Sequence, residues 1–158
     1  MRARSNVIGM THRTARLVGV TPVIAILMSV AGCVTTAGGT LGELARSSKG
    51  AASDTASAEF ALNLYTAGRS TVGVSATALS GALTKVTDTQ GSVASTSVSS
   101  RQERKLRAET LTDLHVAVTA IQDAQDVVAG TPGAPSANRA RSDLISAVDA
   151  LARLGHRP

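Results

Sequence analysis

The chain has 158 residues, a formal charge of +5, 1% aromatic residues and one cysteine. That length suits one small domain. With Phe60 and Tyr65 as the only aromatics, stacking platforms for nucleic-acid bases are excluded, and a single cysteine excludes a disulfide framework.

The charge is unevenly spread. Arg2, Arg4, Arg13 and Arg16 precede residue 17, and all 11 acidic residues follow residue 42. From Cys33 onward there are 12 basic residues against 11 acidic ones. The basic balance belongs to the amino-terminal segment, so no nucleic-acid partner follows from it.

Arg2 to Arg16 contains no acidic residue. Leu17 to Val30 is uncharged and mostly apolar, centred on Val23-Ile24-Ala25-Ile26-Leu27-Met28, and it stops at Ala31-Gly32-Cys33. A basic region, an apolar region and then small residues are the order of a secretory signal. The basic residues stay on the cytoplasmic side while the apolar helix enters the translocon. Met10 offers an alternative start that gives a basic region of more usual length.

Val30-Ala31-Gly32-Cys33 resembles the lipobox of bacterial lipoprotein precursors: an aliphatic residue, two small ones, then cysteine. The resemblance covers residues 1–33. It implies cleavage between Gly32 and Cys33, a diacylglycerol on the Cys33 thiol, and Cys33 as the new amino terminus. Fatty acyl chains, palmitate among them, would then hold the protein to the lipid bilayer on the extracytoplasmic face of the cell membrane or envelope. Two or more chains suffice for stable anchoring, whereas one is marginal. An uncleaved transmembrane helix stays open on length, because no charge occurs from Leu17 to Gly42. Thr35, Thr36, Gly38, Gly39 and Thr40 argue against it by making the second half polar. An ordinary buried cysteine is the third reading of Cys33.

Cys33 to about Ala52 reads as a flexible tether, with Gly38, Gly39, Gly42, Ser47, Ser48 and Gly50 and little periodicity. Such a tether spans roughly 25 Å. Thr40 to Arg46 suffices for one short helical turn.

A first helix is expected from Ser53 or Asp54, with Ala56, Phe60, Leu64 and Ala67 on one apolar stripe and Ala58, Ala61, Leu62 and Tyr65 on another. Two apolar sides place it centrally. Gly68 ends it. Ser70 is the expected cap of a second helix with a seam of Val72, Ala76, Leu79, Leu83 and Val86. Ser-rich Gly91 to Ser99 reads as a loop. Ser100-Arg-Gln-Glu103 matches a capping box. The third helix then carries Leu106, Leu114, Val118, Ile121 and Val128 on one face and ends at Gly130. Ser136 caps a fourth helix with Leu144, Val148 and Leu151 inward, closed by Gly155. The organisation expected is a signal over 1–32, a tether over 33–52, and an all-α domain over 53–158. Its architecture is a small antiparallel bundle of about four helices.

Sites for chemistry are sparse. His115 and His156 are the only histidines past the signal, no Glu-x-x-His pair occurs, and Met1, Met10 and Met28 all lie in the signal. No metal and no cofactor is expected. Neither Gly-x-Ser-x-Gly nor Ser-x-x-Lys occurs, so no catalytic residue is assigned and the protein is read as no enzyme. Glu109 with Asp113, and Asp123 with Asp126, read as the wet side of the third helix. One cluster stands out. Arg101, Arg104 and Lys105 share a face at the start of that helix, with Arg107 nearby. They suit contact with anionic headgroups or an anionic wall polymer. Cations there oppose the helix dipole. A Glu103–Arg107 pair at i, i+4 suits a plain solvated face instead.

The Ala-rich, Arg-over-Lys composition resembles small helical lipoproteins of high-GC, actinobacterial-type bacteria. The expectation is a membrane-anchored envelope lipoprotein with a non-catalytic interaction or structural domain, its partners the bilayer and an envelope protein or polymer. The alternative is a carrier of a lipid or small apolar ligand, with Gly73 and Gly81 loosening the second helix.

Overall fold

A computed structural model describes residues 38–157. The signal, Gly32, Cys33 and residues 34–37 lie outside the described residues. The described chain is a four-helix bundle: α1 Gly39–Thr66, α2 Val72–Ser95, α3 Arg101–Ala129 and α4 Ala137–Gly155. α1 packs against the other three helices, as does α3, while α2 and α4 do not meet. We call the end where α1 begins, α2 joins α3 and α4 finishes the base, and the opposite end the tip.

The packing residues follow a heptad spacing. In α1 the buried positions include Leu44, Ser48, Ala51, Thr55, Ala58 and Leu62, stepping by four and three. In α4 they are Ala140, Leu144, Ala147, Leu151 and Leu154. α2 buries Ser75, Leu79, Ala82, Val86 and Val93 on the same period, while α3 takes two steps of four from Leu106 through Thr110 to Leu114 and then alternates three and four through Ala117, Ile121 and Ala124 to Val128. A 3.5-residue repeat through α1, α2, α4 and most of α3 is the pattern of helices meeting at a shallow angle, knobs into holes.

This corrects the expected tether. Residues 39–52 belong to α1, and Leu44, Ser48, Ala51 and Ala52 are buried. The segment lacks an obvious apolar stripe because its core positions carry serine and alanine. Burying a hydroxyl is costly only when it is unpaired. Here the Ser48 hydroxyl donates to the Leu44 carbonyl (3.0 Å) and the Thr55 hydroxyl to the Ala51 carbonyl (2.8 Å). The hydroxyls turn back onto their own helix and leave small, smooth surfaces for the neighbours. Ser48 Oγ also lies 3.4 Å from Thr110 Oγ1 across the α1–α3 contact. Its single proton is committed to Leu44, so Thr110 is the donor of that pair.

Two further expectations shift. On α1 the Ala58, Ala61 and Leu62 stripe faces the core, with Tyr65 packed at its edge, whereas Phe60 is 60% exposed. On α2 the cap is Thr71, whose side chain accepts from the Val74 amide, and Val72 points outward. The helix then continues through the Ser-rich stretch to Ser95. Leu79 and Val86 keep their expected inward places and Leu83 packs half-buried against the core, but Ser75 and Ala82 replace Val72 and Ala76 on the buried seam. Serine and threonine at Thr89, Ser92 and Ser95 back-bond to carbonyls three or four residues earlier, which lets the helix absorb them.

The ends of α1 and α3 are closed by glycine. Gly68 takes φ +68°, its amide bonding the Tyr65 carbonyl while the Arg69 amide bonds the Leu64 carbonyl. Gly130, also at φ +68°, repeats the pair of bonds with Thr131. Both are Schellman closures, for which glycine is the residue without steric cost.

Leu114 is fully buried between α3 and its neighbours. Leu114→Ala is expected to cost about 2–5 kcal/mol in urea unfolding, as a cavity in a close-packed core. Phe60→Ala is expected to change stability by no more than about 0.5 kcal/mol, as an exposed side chain. Comparable losses for the two would refute the assignment of faces on α1 and α3.

Candidate functional site

The base gathers the cluster singled out above. The Ser100 side chain accepts from the Glu103 amide (3.1 Å), and a Glu103 carboxylate oxygen accepts from the amides of Ser99 and Ser100 (2.8 Å each) and from the Ser99 hydroxyl. The capping box is complete. Three donors on one carboxylate hold Glu103 well down, at about 2 against its ordinary 4.5, chiefly through the Ser100 and then the Ser99 backbone amides.

Glu103 is thus committed to the cap. The Glu103–Arg107 pair expected at i, i+4 does not form. Arg107 instead donates to the Thr96 carbonyl (3.1 Å), and Arg104 donates to the Ser99 carbonyl (2.8 Å). Thr96 is the C-cap of α2. The two arginines therefore stand at the carboxyl end of α2 as well as the amino end of α3, where cations meet the negative end of a helix dipole. That local role explains two of the four cations in the cluster.

Arg101 has no acidic partner among the described residues, and Lys105 reaches Glu109 only at 3.9 Å, with 77% of the lysine side chain exposed. Glu109 is shared with Arg157, beyond the end of α4. A groove of about 210 Å³ lined by Leu41, Gln102, Lys105, Leu106, Glu109 and Arg157 joins the start of α1, the start of α3 and the residues just past α4 at one end. The structure thus brings Arg101, Arg104 and Lys105 to the end from which the chain runs back toward Cys33. Cys33 and Gly32 themselves fall outside the described residues.

The remaining titratable groups are dispersed. Glu109 and Asp113 line an open groove of about 400 Å³ with Arg153 and Arg157. Burial pushes the Asp113 carboxyl above its ordinary range, Arg153 opposes the rise, and Glu109 adds to it. His115 is exposed beside Val116 and Asp123 in a surface groove between α3 and α4. The His156 ring bonds the Ala152 carbonyl (2.7 Å). Glu59 is taken by Arg141 (2.7 Å) and Asp54 by Lys85 (3.4 Å). Among the described residues no group of three metal-ligating side chains converges, and no helix is long and apolar enough to cross a membrane. Sequence reasoning missed the Arg157–Glu109 and Arg107–Thr96 contacts, which join positions 48 and 11 residues apart and carry no local signal.

No family model, no curated protein and no solved structure matches the chain.

The cap makes a sign-definite prediction. The Glu103 carboxyl is depressed in the folded state, so its contribution is present above pH 4.5 and lost as pH falls toward about 2. Thermal melts of Glu103→Gln are expected to lie below wild type at about pH 7 and to converge with it near about pH 2. Asp113→Asn should run the other way, gaining on wild type at neutral pH, because the folded state favours the protonated acid. Ser100→Ala is expected to cost about 1 kcal/mol at neutral pH.

Proposed function

We propose that the protein is a lipid-anchored envelope protein, held through acylated Cys33, whose four-helix bundle is a non-catalytic interaction or structural domain. The observation that carries the anchor is the run of basic region, apolar region and Val30-Ala31-Gly32-Cys33, which is self-consistent in order, position and context. Two anchoring chains on one cysteine supply the affinity that a bundle without a spanning helix lacks.

The non-catalytic reading rests on how the polar side chains are used. Glu103, Glu109, Glu59 and Asp54 are occupied by caps and ion pairs, and the buried hydroxyls of Ser48, Thr55, Ser75 and Thr110 have hydrogen-bond partners. A nucleophile, its base and an oxyanion site need to converge on one point. The grooves described above are open channels between helices, which fits a contact surface better than a carrier's enclosed ligand chamber.

The deciding measurement is the intact mass of the full chain taken from its own membrane, with fractionation of Cys33→Ser alongside. An acylated species beginning at Cys33, and release of Cys33→Ser from the membrane, are expected. A mass retaining residues 1–32 without acyl chains would overturn the anchor. A co-purifying small-molecule mass would move the domain to the carrier reading.

A further inference from the structure

We propose that the bundle stands end-on at the membrane, its base seated on anionic phospholipid headgroups through Arg101, Arg104 and Lys105. The proposal rests on the lipid-anchored reading above. Three observations carry it.

The first is reach. α1 begins at Gly39, so only Val34 to Gly38 separate Cys33 from the helix. Fully extended, that connection spans only about 20 Å. α3, with 29 residues, is roughly 43 Å long. The connection is shorter than half the bundle, so the base cannot leave the neighbourhood of the headgroups.

The second is charge placement. Residues 38–48, 86–110 and 146–157, which form the base, hold seven basic residues (Arg46, Arg101, Arg104, Lys105, Arg107, Arg153 and Arg157) against five acidic ones (Glu43, Asp88, Glu103, Glu109 and Asp149). Glu103 stays ionised within its cap, and Glu109 offsets part of the charge of Lys105 and Arg157. The rest of the described bundle carries six acidic residues against five basic. An anionic surface therefore attracts the base more strongly than the flanks, which favours the upright orientation over one lying flat.

The third is exposure. Arg101, Arg104 and Lys105 are all exposed on one face of the first α3 turns, and no acidic side chain among the described residues neutralises Arg101. Basic groups next to an acyl anchor act as the second signal that makes membrane attachment firm, and their effect falls off within about one Debye length, about 8 Å at physiological salt.

The test uses the full, acylated chain reconstituted in vesicles of phosphatidylglycerol and phosphatidylcholine. With Cys33 acylated, a thiol introduced by Ser97→Cys at the base or Ala129→Cys at the tip is the one free thiol and takes a fluorophore. A headgroup-attached nitroxide lipid quenches only at contact range. Quenching is expected to be several-fold stronger at position 97 than at 129. It should fall to the tip level in about 1 M salt, where the Debye length is about 3 Å, and in pure phosphatidylcholine. R101E/R104E/K105E and the milder R101Q/R104Q/K105Q should both abolish the contrast while remaining fully helical by circular dichroism. Equal quenching at both positions, or quenching at 97 that ignores salt and lipid charge, overturns the proposal and leaves the anchor standing. A salt-sensitive contact formed on an anionic wall polymer but not on vesicles also overturns the lipid assignment. Retention of Cys33→Ser on membranes at the native level overturns the anchor itself, and the proposal with it.

Discussion

The bundle depends on how little space α1 takes up. Its central core positions are Ser48, Ala51, Thr55 and Ala58, with leucine only toward the ends at Leu44 and Leu62. Helices with small side chains at their contacts approach closely, and α1 accordingly touches α2, α3 and α4 while the opposite diagonal stays apart. The hydroxyls are admitted because each one turns back to its own helix. At the base the approach tightens further. A Cβ on Gly155 would sit 3.1 Å from Lys49 Cβ and 3.3 Å from the Ala45 carbonyl, so α4 finishes against α1 at a distance that suits glycine.

The basic face of α3 is a second consequence of the antiparallel layout. Cations at a helix amino terminus are unfavourable when the helix is considered alone. In the bundle the same residues lie at the carboxyl end of α2, where Arg104 and Arg107 meet free carbonyls at Ser99 and Thr96. One stretch of sequence thereby serves two helix ends. It leaves Arg101 and Lys105 exposed at the end where α1 begins.

The all-α class and the helix count were legible from the apolar periodicity, and the third and fourth helices from their caps. Ser100-x-x-Glu103 and Ser136 mark their starts in the structure as in the sequence. The first half of α1 was not legible. A stripe of Leu44, Ser48, Ala51 and Thr55 repeats at heptad spacing, but serine, glycine and threonine carry a loop signal that outweighs it. What made the segment helical is burial against α3 and α4, a tertiary effect no local window contains. Phe60 misled in the opposite direction: its size suggested the core, yet the stripe that packs is the one built from Ala58, Ala61 and Leu62. At the base, the cluster of Arg101, Arg104 and Lys105 could be found by spacing alone. Its closeness to the start of α1 and to Arg157 could be seen only once the topology was known.

An even number of antiparallel helices returns the chain to the end where it began, so Gly38 and Arg157 leave the bundle at the same end. That parity governs how the domain answers to mechanical load. A force drawing those two points apart acts across the α1–α4 contact and opens it from the Gly155–Lys49 approach upward, one layer of side chains at a time. Each layer resists in turn, so the bundle peels at low force. A pull between the base and the Gly130–Ser136 connection at the tip loads the α3 and α4 contacts lengthwise, and many layers resist together. The same fold is compliant in one direction and stiff in the other.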